Sequence, residues 1–256
     1  MSPPEAHGPE TYGPATYGEA IADVYDDWYP DVSDVEGTVA TIARLAAGRP
    51  VLELGVGTGR LALPLAEAGV EVHGIDASPA MVARLRAKAG GRDVRVDVAD
   101  FAESMPDGPF GVVFAAFNTF LNLTAPGAVE RCLRLTRARL APDGLLVVEA
   151  FVPTDDAVAS GVDVRRIDPG EVVLSVFRRE PATDVVTGSL VSITEGGIRL
   201  RPWAIRALGP DELDALAREA GFEVEGRDGG WRGEPFDDAS DRHVVRYRVA
   251  AVPSRQ

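Results

Sequence analysis

Between residues 51 and 100 the chain carries groups that together could seat a polar, positively charged ligand. An acid, Glu53, stands inside the short apolar run Val51–Leu54, which leads straight into glycines at 55, 57 and 59. Alternate glycines let the backbone turn tightly and admit a ligand against bare main chain, where any Cβ would collide. A phosphate would be repelled by Glu53, whereas a cationic or amine-bearing ligand would be drawn to it. The spacing is G-x-G-x-G, not the G-x-G-x-x-G that places a helix N-terminus under the pyrophosphate of a dinucleotide. Further on, Asp76 and Asp97 close later apolar runs. A carboxylate can accept two hydroxyl hydrogen bonds at once. The alternatives are a ligand-free strand-to-helix turn for the glycines and a helix-capping turn for Asp76, which precedes Ser78-Pro79.

Such groups work only if strand ends are brought together, and the rest of the sequence supplies that scaffold. Apolar spacing predicts helices over 17–28 and 35–47, the second closed by Gly48. Then come strand 51–54, helix 59–68, strand 71–75, helix 79–89 with Ser78 as cap and Pro79 at its first position, and strand 93–98. Strand 110–115, helix 126–140 and the continuous apolar strand 145–151 complete the alternation. This predicts an α/β fold, a Rossmann-like doubly wound parallel sheet with helices on both faces. Residues 161–207 change pattern, with four period-two runs separated by Asp168-Pro-Gly170, Pro181–Asp184 and Glu195-Gly-Gly197. They predict an inserted antiparallel β lid. Helix 210–220 and strands near 222–227 and 243–250 return to the main sheet. The expected organisation is a flexible lead-in over 1–16, a core over 17–160, the insertion over 161–207 and a return to the core over 208–256.

Glu53-Leu-Gly-Val-Gly-Thr-Gly59 resembles motif I, E/D-x-G-x-G-x-G, of the class I S-adenosylmethionine (SAM)-dependent methyltransferases. Val72-His-Gly-Ile-Asp-Ala-Ser-Pro-Ala-Met81 resembles motif II, where an acid ends the second strand. The resemblance implies SAM as cofactor, S-adenosylhomocysteine (SAH) as product, and Glu53, Gly55, Gly57, Gly59, Asp76 and Ala77 in the cofactor site, with Asp76 on the ribose. Val94–Phe101 is similar to the family's third block, which implies Asp97 and the backbone of Val98 at the adenine; Asp100 competes for that place or caps a loop. Tyr17–Tyr29 looks like the N-terminal helix of small-molecule members such as sugar-amine N-methyltransferases and glycine N-methyltransferase-like enzymes, which places Tyr17 at the methionine end of the cofactor. Some relatives hold the SAM carboxylate with an N-terminal Arg or Lys; here no Lys or Arg precedes Arg44, so that contact must come from elsewhere.

Phe110–Leu123 resembles the family's motif-IV region, which lines both cofactor and acceptor. Sugar N-methyltransferases have a His near the position of Asn122, so a histidine base is in doubt here. Asn118 and Asn122 can orient an amine or hydroxyl, or can cap a loop. Tyr25, Tyr29, Trp203, Arg206 and Trp231 are candidates for the acceptor pocket, with hydrophobic packing as the alternative for the aromatics, including Trp28. The arginines of the insertion, at 165, 166, 178, 179, 199, 201 and 206, could bind an anionic acceptor or form the solvent face of a sheet. Such insertions in the family cover the acceptor pocket and help form dimers, which makes a homodimer an expectation.

The expected activity is therefore methyl transfer from SAM to an amine or hydroxyl of a small molecule, and the lack of an obvious base leans it toward nitrogen. A composition rich in Ala, Gly, Arg and Asp resembles that of high-GC bacteria, where such enzymes often serve secondary metabolism. The rival functions are a SAM- or SAH-binding protein without methyl transfer and a nicotinamide-dependent oxidoreductase. The chain has 256 residues, 45% of them hydrophobic, enough for a full core. Its net charge of −14 makes nucleic acid and anionic membrane poor partners. The lone Cys132 fits a reducing cytoplasm, and no apolar run or signal-like N-terminus points to a membrane or to export. His7, His73 and His243 have no partners at metal-ligand spacing, so no metal is expected.

Overall fold

The computed structural model describes residues 12–30, 33–153 and 159–251. Its main sheet is built from β1 (Val51–Leu54), β2 (Val72–Asp76), β3 (Arg95–Val98), β4 (Phe110–Ala115), β5 (Leu140–Phe151), β10 (Phe222–Asp228) and β11 (Arg242–Val249). The order is β10-β11-β5-β4-β1-β2-β3. β1 to β5 run parallel, whereas β11 inserts antiparallel against β5 and β10. β1 and β4 are buried at every position, which is why they read as apolar runs with no alternation. From β1 the chain builds outward to β3 on one side, then crosses to β4 and β5 on the other. The carboxyl ends of β1 and β4 therefore flank a crevice, the place where open α/β sheets bind ligands.

Helices α3 (Val35–Ala46), α4 (Ala62–Glu67), α5 (Pro79–Ala87), α6 (Ala128–Arg139) and α7 (Pro210–Glu219) cover the two faces of that sheet. Their ends follow local chemistry. Asp34 accepts from Gly37 N at 2.9 Å to start α3, and Ser78 accepts from Met81 N at 3.2 Å to start α5. The expected helix 17–28 is instead two short ones, α1 (Thr16–Ile21) and α2 (Tyr25–Trp28), with Val24 at a non-helical φ of −121°. The break follows tertiary contacts. Arg201 donates to Asp23 Oδ1 at 2.5 Å and to its Oδ2 at 3.0 Å, while stacking over Trp28 at 5.2 Å.

β6 (Ser160–Asp168), β7 (Glu171–Glu180), β8 (Val185–Thr194) and β9 (Gly197–Arg206) form a separate antiparallel sheet in sequential order. Its three turns fall where Pro, Gly and Asp cluster in the sequence. Of the proposed lead-in, residues 1–11 lie outside the described residues. Tyr12 is seated rather than loose, its hydroxyl accepting from Ala204 N of β9 at 3.0 Å.

Candidate cofactor and acceptor sites

The glycine turn after β1 is built by backbone. Gly55 has φ +67°, and a Cβ there would sit 2.4 Å from Thr119 Cγ2, so both conformation and space require glycine. Gly57 N donates to Asp76 Oδ2 and Ser78 N to Asp76 Oδ1, each at 2.8 Å. These bonds fix the carboxylate at the end of β2 and leave lone pairs for a diol. Burial nevertheless raises the Asp76 carboxyl above its usual range. Glu53 is 5% exposed, and its Oε2 has no hydrogen-bond partner among the described residues. Burial pushes it up to about 8 against the opposing pull of Arg60. A buried, unmatched carboxylate facing a cavity fits a cationic ligand group.

Tyr17, Glu53, Gly55, Gly57, Asp76 and Ala77 all line this first cavity. Gly59 does not: at φ +81°, a Cβ there would meet Leu85 Cγ at 2.8 Å, so it serves the packing of the turn on α5. Asp97 and Val98 also require correction. They lie on the edge strand β3, where Asp97 Oδ2 faces His73 Nε2 at 3.5 Å and Val98 is 52% exposed. The chain turns toward the cavity only after β3 ends, so Asp100, Phe101 and Ala102 take that wall. Asp100 also caps its own turn, accepting from Ala102 N at 2.8 Å.

The N-terminal helices close one side through carboxylates. Glu19 accepts from the Ser78 hydroxyl at 2.7 Å and from Ala80 N at 2.9 Å. Asp26 accepts from the Thr58 hydroxyl at 2.6 Å and pairs with Lys88 at 2.8 Å. The Glu19 contacts tie α1 to the start of α5, and the Asp26 contacts tie α2 to the glycine turn.

A second, larger cavity lies between the main sheet and the inner face of β6–β9. Tyr25, Tyr29, Asn118, Asn122 and Trp203 line it, with Phe117, Phe151 and Phe177 adding to an aromatic wall. Tyr17, Tyr25, Thr119 and Asn122 line both cavities and so mark their junction. Asn118 is committed to structure: with φ +62° its Oδ1 accepts from Phe151 N at 2.8 Å. Burial raises the Tyr25 phenol and carries the Tyr17 phenol well above the ordinary range.

Arg206 and Trp231 are corrections. Arg206 pairs outward with Glu212, and Trp231 is 4% exposed inside a hydrophobic core, its carbonyl accepting from Thr41. The arginine stripe is largely neutralised within the chain. Arg166 pairs with Asp168, Arg179 with Asp184, and Arg199 and Arg201 with Asp23. His73 and His243 stand outside both cavities, and His7 lies outside the described residues. Two functional candidates escaped sequence reasoning. Thr119 had no signal beyond its place after β4, and Arg60 had one, its position directly behind Gly59.

A family of proteins described as methyltransferase domain matches residues 51–144, the span from β1 into β5. The cypemycin N-terminal methyltransferase of a Streptomyces species is 31% identical over 246 residues, covering 89% of this chain and 95% of the relative. The chain belongs to the class I SAM-dependent methyltransferases. The structure of the CcbJ methyltransferase from Streptomyces caelestis is similar at 38% identity with a TM-score of 0.86, covering 94% of this methyltransferase and all of that chain. The sugar N-methyltransferase KedS8 from Streptoalloteichus shares the fold at 19% identity and a TM-score of 0.65, covering 90% of this chain and 92% of its own. SAM is accordingly the methyl donor, and the unmatched Glu53 carboxylate and the bare backbone at Gly55 suit its cationic end. No helix among the described residues is long and apolar enough to cross a membrane.

Proposed function

We propose that this methyltransferase moves the SAM methyl group onto an amine nitrogen of a small molecule. The observation that carries this reading is the junction of the two cavities at Tyr17, Tyr25, Thr119 and Asn122. When bound, SAM supplies an electrophilic methyl group and a neutral leaving thioether, so the chain has to orient the acceptor and exclude water. Asp76 would hold the ribose, the Asp100–Ala102 turn the adenine, and Glu53 the cofactor ammonium. That order runs from β3 through β2 to β1, toward the junction.

The junction itself favours nitrogen. It holds two phenols with raised pKa, a threonine and an asparagine, none of which removes a proton readily near neutrality. Asp163 is the carboxylate lining the acceptor cavity, and it lies on β6 rather than at the junction. A neutral amine needs no strong base for attack, whereas an alcohol does. Asn122 and Thr119 can accept from or donate to that amine. The cavity volume of about 650 Å³ accommodates a molecule well beyond a single amino acid. Kinship to a natural-product N-terminal methyltransferase agrees with this and extends the reading to secondary metabolism.

The test is methyl transfer from labelled SAM into matched panels of amines and of phenols and alcohols. Label in amines alone is expected. Label only in hydroxyl acceptors overturns the nitrogen assignment, and SAH binding without any transfer favours a binding protein.

The same reading includes a second copy of the chain on the outer face of β6–β9. Cross-strand register places Val164, Leu174, Val191 and Leu200 in one row and Ile167, Val172, Ile193 and Ile198 in the next. Val164, Ile167, Ile198 and Leu200 are 60–72% exposed. These rows contain no charged side chain, so an identical face can pack on them without burying an unpaired charge. Light scattering should give twice the chain mass, and Leu200→Arg should give the monomer; a wild-type monomer at micromolar concentration removes the dimer.

A further inference from the structure

The amino-acid end of SAM carries a carboxylate besides its ammonium, and no Lys or Arg precedes Arg44 in the N-terminal segment that closes the cavity. The carboxylate must still be met, because an anion leaving water for a closed cavity needs a partner. We propose that Arg60 is that partner, so that Glu53 and Arg60 together read the two charges of the cofactor's amino-acid end. The proposal rests on SAM as the donor and adds the residue that recognises its carboxylate.

Among the described residues lining the cofactor cavity, the arginines and lysines are Arg60 and Arg131. Arg131 is already engaged, donating to Glu103 Oε1 at 2.9 Å and to the Pro126 carbonyl at 3.0 Å. It belongs to the wall of Asp100 and Glu103, where the proposed function puts the adenine. Arg60 follows the glycine turn at the end of β1, beside Glu53, whose ionisation it favours.

The guanidinium is held but not satisfied. One Nη donates to the Ser33 hydroxyl, and the plane lies over the Phe117 ring with Cζ 5.4 Å from its centroid. The nearby charge of Arg60 partly offsets the rise that burial gives the Tyr25 phenol. Its Nε is buried and has no partner among the described residues, like Glu53 Oε2 in the same cavity. An unmatched N–H donor on Arg60 and an unmatched oxygen on Glu53 match the carboxylate and ammonium of an α-amino acid, whose ammonium favours the ionised form of Glu53. A stacked guanidinium keeps its edge free, and that edge is the part that binds carboxylates with paired N–H groups.

The support behind Arg60 is shared with the acceptor wall. Phe117 and Asn118 both have positive φ, 48° and 62°, and the turn is held by Phe117 N donating to Glu149 Oε2 at 2.7 Å. The Phe117 ring also meets Tyr29 at 6.0 Å on the acceptor side. Arg60 thus lines the cofactor cavity while its guanidinium face rests on Phe117, a residue of the acceptor wall.

Isothermal titration of the full chain with SAH and with decarboxylated SAH, which keeps the amine and lacks the carboxylate, tests the assignment. Wild-type protein should prefer SAH by about 30- to 100-fold. Arg60→Gln should abolish that preference by weakening SAH while changing the decarboxylated ligand less than about threefold, and Arg60→Lys should restore part of it. A purely structural Arg60 would weaken both ligands alike, and that result overturns the proposal. So does equal affinity of wild type for the two ligands, which needs no variant to fold. Asp76→Ala should weaken both equally. Wild-type protein that binds neither ligand would remove the SAM site and the Arg60 assignment with it.

Discussion

The two cavities that meet at Thr119 and Asn122 are made of different materials. The cofactor side centres on main chain and buried acids from β1 to the turn after β3, with the N-terminal helices and residues between 116 and 131 closing it. There Gly57 N and Ser78 N fix Asp76, and Gly55 leaves room that a Cβ would fill. The acceptor side is walled by aromatic side chains drawn from the N-terminal helices, the turn after β4, the end of β5 and two strands of the second sheet. Backbone geometry tolerates almost no substitution, so that half fits one ligand. A wall of Tyr, Phe and Trp can be reshaped one ring at a time, and this is the half where relatives with one fold can differ in acceptor.

The contrast breaks most visibly at Gly55. Gly55→Ala places a methyl against Thr119 in a left-handed backbone conformation. Calorimetry should show SAH affinity reduced more than about 100-fold, since the strain and the clash add. A variant that binds SAH normally would mean the turn does not cradle the cofactor.

A smaller effect concerns Glu53. Burial holds its carboxyl up to about 8, so in the free protein it is mostly protonated at neutral pH. An ammonium bound beside it favours the charged form and expels the proton. SAH affinity should therefore rise with pH and level off above about 8, falling by up to about tenfold per unit below it. Glu53→Gln should flatten that dependence. A wild-type profile that is already flat between pH 6 and 8 would detach Glu53 from the ligand amine.

The smallest effect should appear on the other side. Trp203→Ala removes an aromatic surface from the acceptor wall and leaves the glycine turn untouched. KM for a methylated amine should rise about tenfold, as expected for a buried aromatic contact, with the SAH dissociation constant changed less than about twofold. Equal loss of both would show that the two cavities are not separable.

The fold was legible because its signals are local. Apolar runs at β1, β4 and β5, the cap at Ser78-Pro79 and the three turns of the second sheet state their geometry in a few adjacent residues. Asp76 was legible for the same reason, since motif and strand end coincide. The errors share a different cause. Asp97 lies within three residues of Asp100, and only the point where β3 stops decides which of them faces the ligand. Trp231 stood between pocket and packing until α3 supplied Thr41 from distant sequence, and Arg206 is turned aside by Glu212 of the neighbouring α7. Part of the arginine stripe looked free because Asp23, which pairs with Arg199 and Arg201, lies far away in the chain, while Asp168, Asp184 and Glu212 sit within a few residues of their arginines.

By itself, then, the sequence determined the sheet, the glycine turn and the methyl donor, because backbone chemistry and strand periodicity are properties of neighbouring residues. Only the tertiary structure decided that the helix over 17–28 breaks, that Asp100 replaces Asp97, that Arg60 stands beside Glu53, and that Thr119 joins two cavities. Those outcomes depend on which distant charges and rings meet, and chain order does not carry that information.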